Sequence, residues 1–357
     1  MRTLLAGYPR RSDFARCTYA GPAVKACELA PGGEVTIVDR PEPRAAGNIV
    51  KVQVTITPMC TEFKDRRAGA PSDVLGHEAA GVVVDPADSK LVREGDHVVV
   101  MPGYGCGLCR LCTMGEHIYC RCQRDVLTET GSRYGTATYA DYLIKPDWLL
   151  LPVPADVSLK HASLACCGLG PSLNAAQRME VTERDTVLVS GCGPVGLGAT
   201  VHAVGRGARV IAVEPSEYRA RLASRLGAVS SVDSGDPAFQ QVIRDLTDGR
   251  GASCAIETSG VLSAPAQLLS VLSPLGRMGL LAWDAPVRLP PLVPHGVAIY
   301  GCWHWNHLRD PAVMWNVIRE HGQALDAMIT HEFGFDDAAW AMDLQDTGRC
   351  GKVLLYH

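Results

Sequence analysis

Apolar and polar residues alternate through much of the stretch from residue 24 to about 155. "VKACEL", "EVTIVD", "IVKVQVTI", "EAAGVVVD", "DHVVVMP" and "YADYLI" are short and often Val-rich, and Gly or Pro punctuates them. Successive side chains of a strand point to opposite faces, so this half is predicted to be all-β, a partly closed barrel. Around residue 185 the rhythm changes. "DTVLVSG" and "ARVIAVE" are continuous apolar runs of the kind buried on both faces, separated by helical stretches such as "PVGLGATVHAVGRG" and "SEYRARLASRLGA". "CAIETSG", "GRMGLLA" and "VAIYGCW" continue the series, which predicts an α/β unit with a parallel sheet and helices on both sides. Asp310 and Pro311 open a later helix that Gly322 is placed to close. The last strand, "GKVLLY", is expected to return to the first half, and residues 1–22 read as an arm.

Length and composition narrow the class. A chain of 357 residues suits two domains better than one core. A net charge of -4 supplies no electrostatic footprint for nucleic acid or an anionic membrane. The local cluster Arg10, Arg11 and Arg16 shares its arm with Asp13 and reads as a solvated tail. No apolar run approaches the ~20 residues that span a bilayer, and "MRTLLAGYPRRSD" is too short in its apolar part for a signal peptide. The expected location is the cytoplasm, where 14 cysteines are free thiols or metal ligands.

Two motifs carry chemistry on their own. "CGLCRLCTMGEHIYC" spaces Cys106, Cys109, Cys112 and Cys120 as zinc requires, with tight turns that deliver thiolates to tetrahedral corners. Four sulfurs leave no open position, so this zinc is structural. "VLVSGCGPVGLGA" sets Gly191, Gly193 and Gly196 after a buried strand and at the start of a helix, with Pro194 and Val195 between them. There, backbone amides approach a pyrophosphate at a helix N-terminus. Glu214, at the end of the next strand, is placed to accept from an adenosine ribose diol and to repel a 2'-phosphate, which favours NAD over NADP. Arg219 works the other way, since it can sit against that ribose or a phosphate.

Three scattered fragments remain: Cys60 in "PMCTEFK", His77 and Glu78 in "LGHE", and Cys166 and Cys167 in "LACCG". Each alone suits a packed core residue. Together they become interesting, because a catalytic zinc needs three protein ligands and one open position, often two thiolates and an imidazole, and such a zinc acidifies a bound hydroxyl.

With Cys60, Gly76-His77-Glu78, the four-cysteine run, the Gly191–Gly196 turn, and "ITHEFGFDDAAWAM" and "GKVLL" near the end, the chain resembles the zinc-dependent medium-chain dehydrogenases from about Val24 to His357. That family includes alcohol, sorbitol and threonine dehydrogenases. The resemblance implies a GroES-like β-barrel catalytic domain over 1–168 and a Rossmann NAD-binding domain over 169–305. Segment 306–357 would return to the first domain, with the active site in the cleft. By position, Cys60 and His77 match the first two catalytic zinc ligands. Cys167 matches the third, with Cys166 as the adjacent alternative. Glu78 matches the carboxylate beside the ligand histidine, which orients the site or binds the metal directly. In the family a Ser or Thr two residues after the first ligand cysteine commonly starts a proton relay. Here Glu62 stands at that place and the hydroxyl, Thr61, comes one residue early. Thr61 takes over in a shorter loop, Glu62 accepts the proton, or Glu62 contacts a polyhydroxylated substrate.

"GCWHWNHLRD" gathers Trp303, His304, Trp305, Asn306 and His307, either to stack on and bond a sugar or to pack an interface. The leading expectation is a dehydrogenase with two zinc ions per chain that passes hydride from a polyol, sugar or cyclitol to NAD. The alternatives are an NADPH-dependent carbonyl reductase on the same scaffold, and a non-catalytic zinc and dinucleotide sensor or scaffold. By resemblance, "VAIYGCW" is the sheet edge through which dimers or tetramers form.

Overall fold

The computed structural model describes residues 22–282 and 292–357. The arm, including Arg10, Arg11 and Arg16, lies outside the described residues apart from Pro22. From there a hairpin pairs Ala23–Leu29 with Val35–Pro41.

The long strand Ile49–Pro58 organises the first half. One of its edges carries Ala79–Asp85, followed by His97–Val100 and Leu150–Pro152. Its other edge is shared. Tyr142–Pro146 pairs with residues 49–53, and Lys352–Tyr356 pairs with residues 56–58. Ile329–Gly334 adds to the outer side of Lys352–Tyr356. The end of the chain is therefore built into the sheet that its beginning starts. The alternation seen in the sequence sends Val50, Val52, Val54, Val83, Val98 and Val100 into one apolar core.

The second half is a six-stranded sheet with every pair parallel. Its order is Ser230–Val232, Arg209–Val213, Thr186–Ser190, Ala252–Glu257, Leu272–Leu280 and Ala298–Gly301. The order reverses between Thr186–Ser190 and Ala252–Glu257, and in such sheets ligands bind beyond the strand ends at that crevice. Residues on the two faces enter separate apolar cores, as the uninterrupted Val and Ile runs require. Ala298–Gly301 is one edge strand and Ser230–Val232 the other.

One helix end departs from expectation. The helix that Asp310 and Pro311 open runs Pro311–Glu320 and ends at His321 (φ -115°, ψ 23°). Gly322 instead starts the next helix, Gly322–Met328. A glycine ends a helix by taking left-handed backbone geometry, and Gly322 is not among the residues with positive φ.

Candidate active site and metal centres

In the cysteine lobe the sulfur of Cys109 lies 3.6 Å from that of Cys112 and 3.7 Å from that of Cys120. The Cys106 sulfur is 3.7 Å from Cys120 and 4.0 Å from Cys112. Four thiolates about 2.3 Å from a central zinc would define a tetrahedron with edges of about 3.8 Å. The residues fit that ion. Backbone N–H groups point at the same sulfurs: Cys109 N–H donates to Cys106 Sγ at 3.3 Å and Cys122 N–H to Cys120 Sγ at 3.4 Å. Backbone N–H donors at Leu108 and Cys109 pull the Cys106 thiol down to about 6.

The second cluster is assembled from distant segments. Cys60 follows the strand Ile49–Pro58, whose line continues as Met59 N–H donates to Val353 O at 2.9 Å. His77 and Glu78 lead into Ala79–Asp85. They follow Gly76 at φ +92°, where a side-chain Cβ would come within 2.2 Å of Thr138 Oγ1. Cys167 precedes the helix Gly170–Arg178. One ligand atom from each of Cys60, His77, Glu78 and Cys167 lies within 4.8 Å of all the others. Two sulfurs, an imidazole and a carboxylate are a donor set suited to zinc. Cys166, fully buried, is not in that group. Its sulfur is 4.0 Å from that of Cys167, and it forms a separate group with Cys167 and His304.

Glu62 is buried and its carboxylate is fully engaged. One oxygen lies 2.8 Å from His77 Nδ1. The other accepts from Cys60 N–H at 2.9 Å and from Tyr139 OH at 3.3 Å. Burial opposes the charged carboxylate, but His77 and the backbone N–H groups outweigh it and hold Glu62 at about 2. Burial likewise opposes a charged His77, and Glu62 and Cys60 outweigh it, so the ring is held well above the usual histidine range. The Cys60 thiol is held well below its usual range, first by its hydrogen bond with Cys167 and against burial. Thr61 is exposed at the start of the helix Glu62–Arg67 and makes no capping bond.

Glu78 sits between two anchors. Its Oε2 accepts from Cys167 N–H at 3.1 Å and its Oε1 from Lys352 Nζ at 2.9 Å. Both members of the ion pair are wholly buried. Burial pushes Glu78 up to about 7 in spite of Lys352, and Glu78 in turn raises Lys352 against the effect of burial. Sequence reasoning missed Lys352. Its signal was a lone lysine in the otherwise apolar run "KVLL".

At the glycine turn, Gly191 has φ +80°, and a Cβ at Gly196 would meet Gly191 O at 1.8 Å. Gly193 caps the helix Pro194–Gly205, whose first residues are Pro194 and Val195. Glu214 is buried beside it, accepting from Cys192 N–H at 2.7 Å and from Ser216 N–H at 2.9 Å. Arg219 lies against the turn at Gly348, where a Cβ would be 3.6 Å from a guanidinium nitrogen.

The Trp303–His307 segment packs onto the cysteine lobe and its surroundings. Trp305 Nε1 donates to Ala165 O at 2.8 Å, and Asn306 Nδ2 to Met114 O at 2.7 Å. Trp303 N–H donates to Tyr119 OH at 3.3 Å. Among the described residues no helix is long and apolar enough to cross a membrane.

Residues 46–155 match the alcohol dehydrogenase GroES-like domain family, and residues 194–319 match the zinc-binding dehydrogenase family. The chain is 28% identical over 347 residues to an L-threonine 3-dehydrogenase of Pseudoalteromonas translucida, covering 93% of this chain and 98% of the relative. It is 28% identical over 349 residues to that of Pyrococcus abyssi, covering 93% and 97%. An alcohol dehydrogenase of Thermus sp. ATN1 shares the fold, with a TM-score of 0.83 at 23% identity over 93% of this chain and 99% of that one.

Proposed function

The chain belongs to the zinc-dependent medium-chain dehydrogenases, NAD(P)-dependent alcohol oxidoreductases that join a GroES-like to a Rossmann domain, and on that premise we propose that it oxidises a polyol, sugar or cyclitol to a ketone with NAD. The observation that carries this reading is the convergence of Cys60, His77 and Cys167, three ligands from separate segments, beside the engaged carboxylates of Glu62 and Glu78. Cys60, His77 and Cys167 would hold the catalytic zinc, and Cys106, Cys109, Cys112 and Cys120 a second, structural one. A zinc with an open position supplies Lewis acidity that favours loss of the substrate's hydroxyl proton.

The protein's own residues do the positioning. Glu62 accepts from His77 Nδ1–H and thereby turns the Nε2 lone pair toward the metal position. The same carboxylate fixes the backbone of Cys60. Glu78 fixes the backbone of Cys167 and is itself held by Lys352. With both Glu62 oxygens occupied, the proton leaves through Oγ1 of Thr61, an exposed residue. The turn from Gly191 to Gly196 holds the pyrophosphate, and the carboxylate of Glu214 repels a 2'-phosphate, which supports NAD.

A screen of polyols, sugars, cyclitols, simple secondary alcohols and L-threonine for NAD reduction tests the reading. Polyol or cyclitol turnover in a chain carrying two zinc ions is expected. No alcohol oxidation by such a chain would overturn it. Similarity to L-threonine 3-dehydrogenases favours a second reading, an amino alcohol substrate. Tighter binding of NADPH than NADH in a fluorescence titration would reverse the cofactor assignment.

A further inference from the structure

A second group of buried polar side chains meets the ligand cluster through His304. His117 comes from the cysteine lobe, Lys145 from the strand Tyr142–Pro146, and His304 and His307 from the segment after the last parallel strand. All four are at most 2% exposed. The ring of His117 is 5.0 Å from that of His307 and 6.4 Å from that of His304. His304 reaches the ligand cluster, because it groups with Cys166 and Cys167.

Each ring spends one nitrogen on a backbone carbonyl. His117 Nε2 bonds Pro102 O at 3.1 Å, His304 Nδ1 bonds Trp305 O at 3.3 Å, and His307 Nε2 bonds Trp148 O at 3.0 Å. A carbonyl only accepts, so these nitrogens carry the protons and the other three present lone pairs. Those three, His117 Nδ1, His304 Nε2 and His307 Nδ1, are buried without a hydrogen-bond partner among the described residues. Lys145 donates to Gly103 O at 2.6 Å and lies 3.8 Å from the Tyr104 ring centroid, with no carboxylate paired to it among the described residues. Buried polar groups are rarely left unpaired, so three orphaned acceptors on neighbouring rings, with a buried lysine in the same region, call for a guest.

The guest must donate to imidazole lone pairs and accept from a Lys145 N–H. A hydroxyl does both. A carboxylate has no hydrogen to give and meets three lone pairs. Resting on the dehydrogenase reading above, we propose that Lys145, His117, His304 and His307 form a specificity subsite for the non-reacting hydroxyls of a neutral polyol or cyclitol.

The test uses the full-length, zinc-loaded enzyme with NAD and a graded series: cyclohexanol, 1,2-cyclohexanediol, a cyclohexanetriol and myo-inositol. In the wild type, kcat/KM is expected to rise about ten-fold with each added hydroxyl that finds a partner. Lys145→Met and His307→Leu are each expected to lower the inositol-to-cyclohexanol ratio ten-fold or more. Selective 15N-histidine labelling of the wild type gives a readout that needs no variant. Lone-pair ring nitrogens should shift on adding inositol to the NADH-bound enzyme and stay in place with cyclohexanol. A gradient that both folded variants preserve within two-fold overturns the subsite and leaves the dehydrogenase reading standing. Ring nitrogens that inositol leaves unmoved do the same. A flat wild-type series, or L-threonine preferred over every polyol, overturns the subsite and its substrate class together. Failure to oxidise any alcohol overturns the dehydrogenase reading itself.

Discussion

The two cysteine-bearing clusters differ in how they are built. In the lobe, four sulfurs come from one short run, Cys106 and Cys120 being 14 positions apart, and backbone N–H groups of the same loop support them. The other cluster gathers Cys60, His77 and Cys167 from three segments. Its support comes from two buried carboxylates, one of which is paired with a lysine 274 positions away. A local, all-sulfur cluster closes on its metal and anchors a loop. A dispersed cluster with mixed donors depends on the whole fold, and it can keep a position for substrate.

The sharpest way to break the comparison is to remove one sulfur from each. Cys167→Ser should reduce alcohol oxidation about a thousand-fold, the loss of several kcal/mol of Lewis-acid stabilisation. Metal analysis should find one zinc fewer and calorimetry a modest change in melting. Cys109→Ser should also lose one zinc, but its main effect should be a lower melting temperature and faster proteolysis within 104–124. Equal melting losses in the two variants would erase the distinction.

Lys352→Met comes next. It leaves the Glu78 charge buried without its partner, and losing one member of such a pair typically costs about 3–5 kcal/mol. Denaturant unfolding should show that loss, and Glu78→Gln added to Lys352→Met should recover most of it. Single and double variants of equal stability would mean that the pair does not support the dispersed cluster.

Glu62→Gln should weaken metal retention about 10–100-fold, the usual cost of disturbing a group that orients a ligand histidine. The lobe zinc should stay. Thr61→Val should instead lower turnover and alter its pH profile with both zinc ions retained. If Glu62→Gln changes only the pH profile and keeps both metals, the two roles must be exchanged.

The smallest effect concerns Lys145, whose pKa burial lowers to about 7 from an ordinary 10.5. Between those values the unfolded chain holds a proton that the folded chain has released. Stability should therefore rise with pH across that window. His117 and His307 share the region, and the Cys166 sulfur acts on Lys145 in the opposite sense. Lys145→Met should remove the slope in thermal melts from pH 7 to 10, and an unchanged slope would assign it elsewhere.

How much was legible follows from what each element depends on. The period-two runs around "IVKVQVTI" and the apolar runs "VLVS" and "VIAV" are local consequences of one-sided and two-sided burial, so strands and sheet types could be read directly. The cysteine spacing and the glycine turn are equally local, because a loop's own residues set their geometry. Gly322 misled because a glycine ends a helix only if the chain needs left-handed backbone there, and in the fold a second helix begins instead.

Glu62 marks the limit from the other side. By sequence it stood where a relay hydroxyl was expected, and two roles were open to it, proton acceptor and substrate contact, with Thr61 as the other candidate for the relay. Only the folded chain brings His77, Cys60 N–H and Tyr139 to its two oxygens, and the proposed relay through Thr61 rests on that occupancy. Lys352 and the lone pairs of His117, His304 and His307 were invisible for the same reason. A side chain's partners across hundreds of residues, or its lack of them, are set by packing. The sequence by itself determined the elements, the four-sulfur lobe and the dinucleotide turn, because each is a local fit of residue type to backbone geometry. Tertiary structure alone decided which carboxylate holds which ligand, and which buried nitrogens were left without a partner.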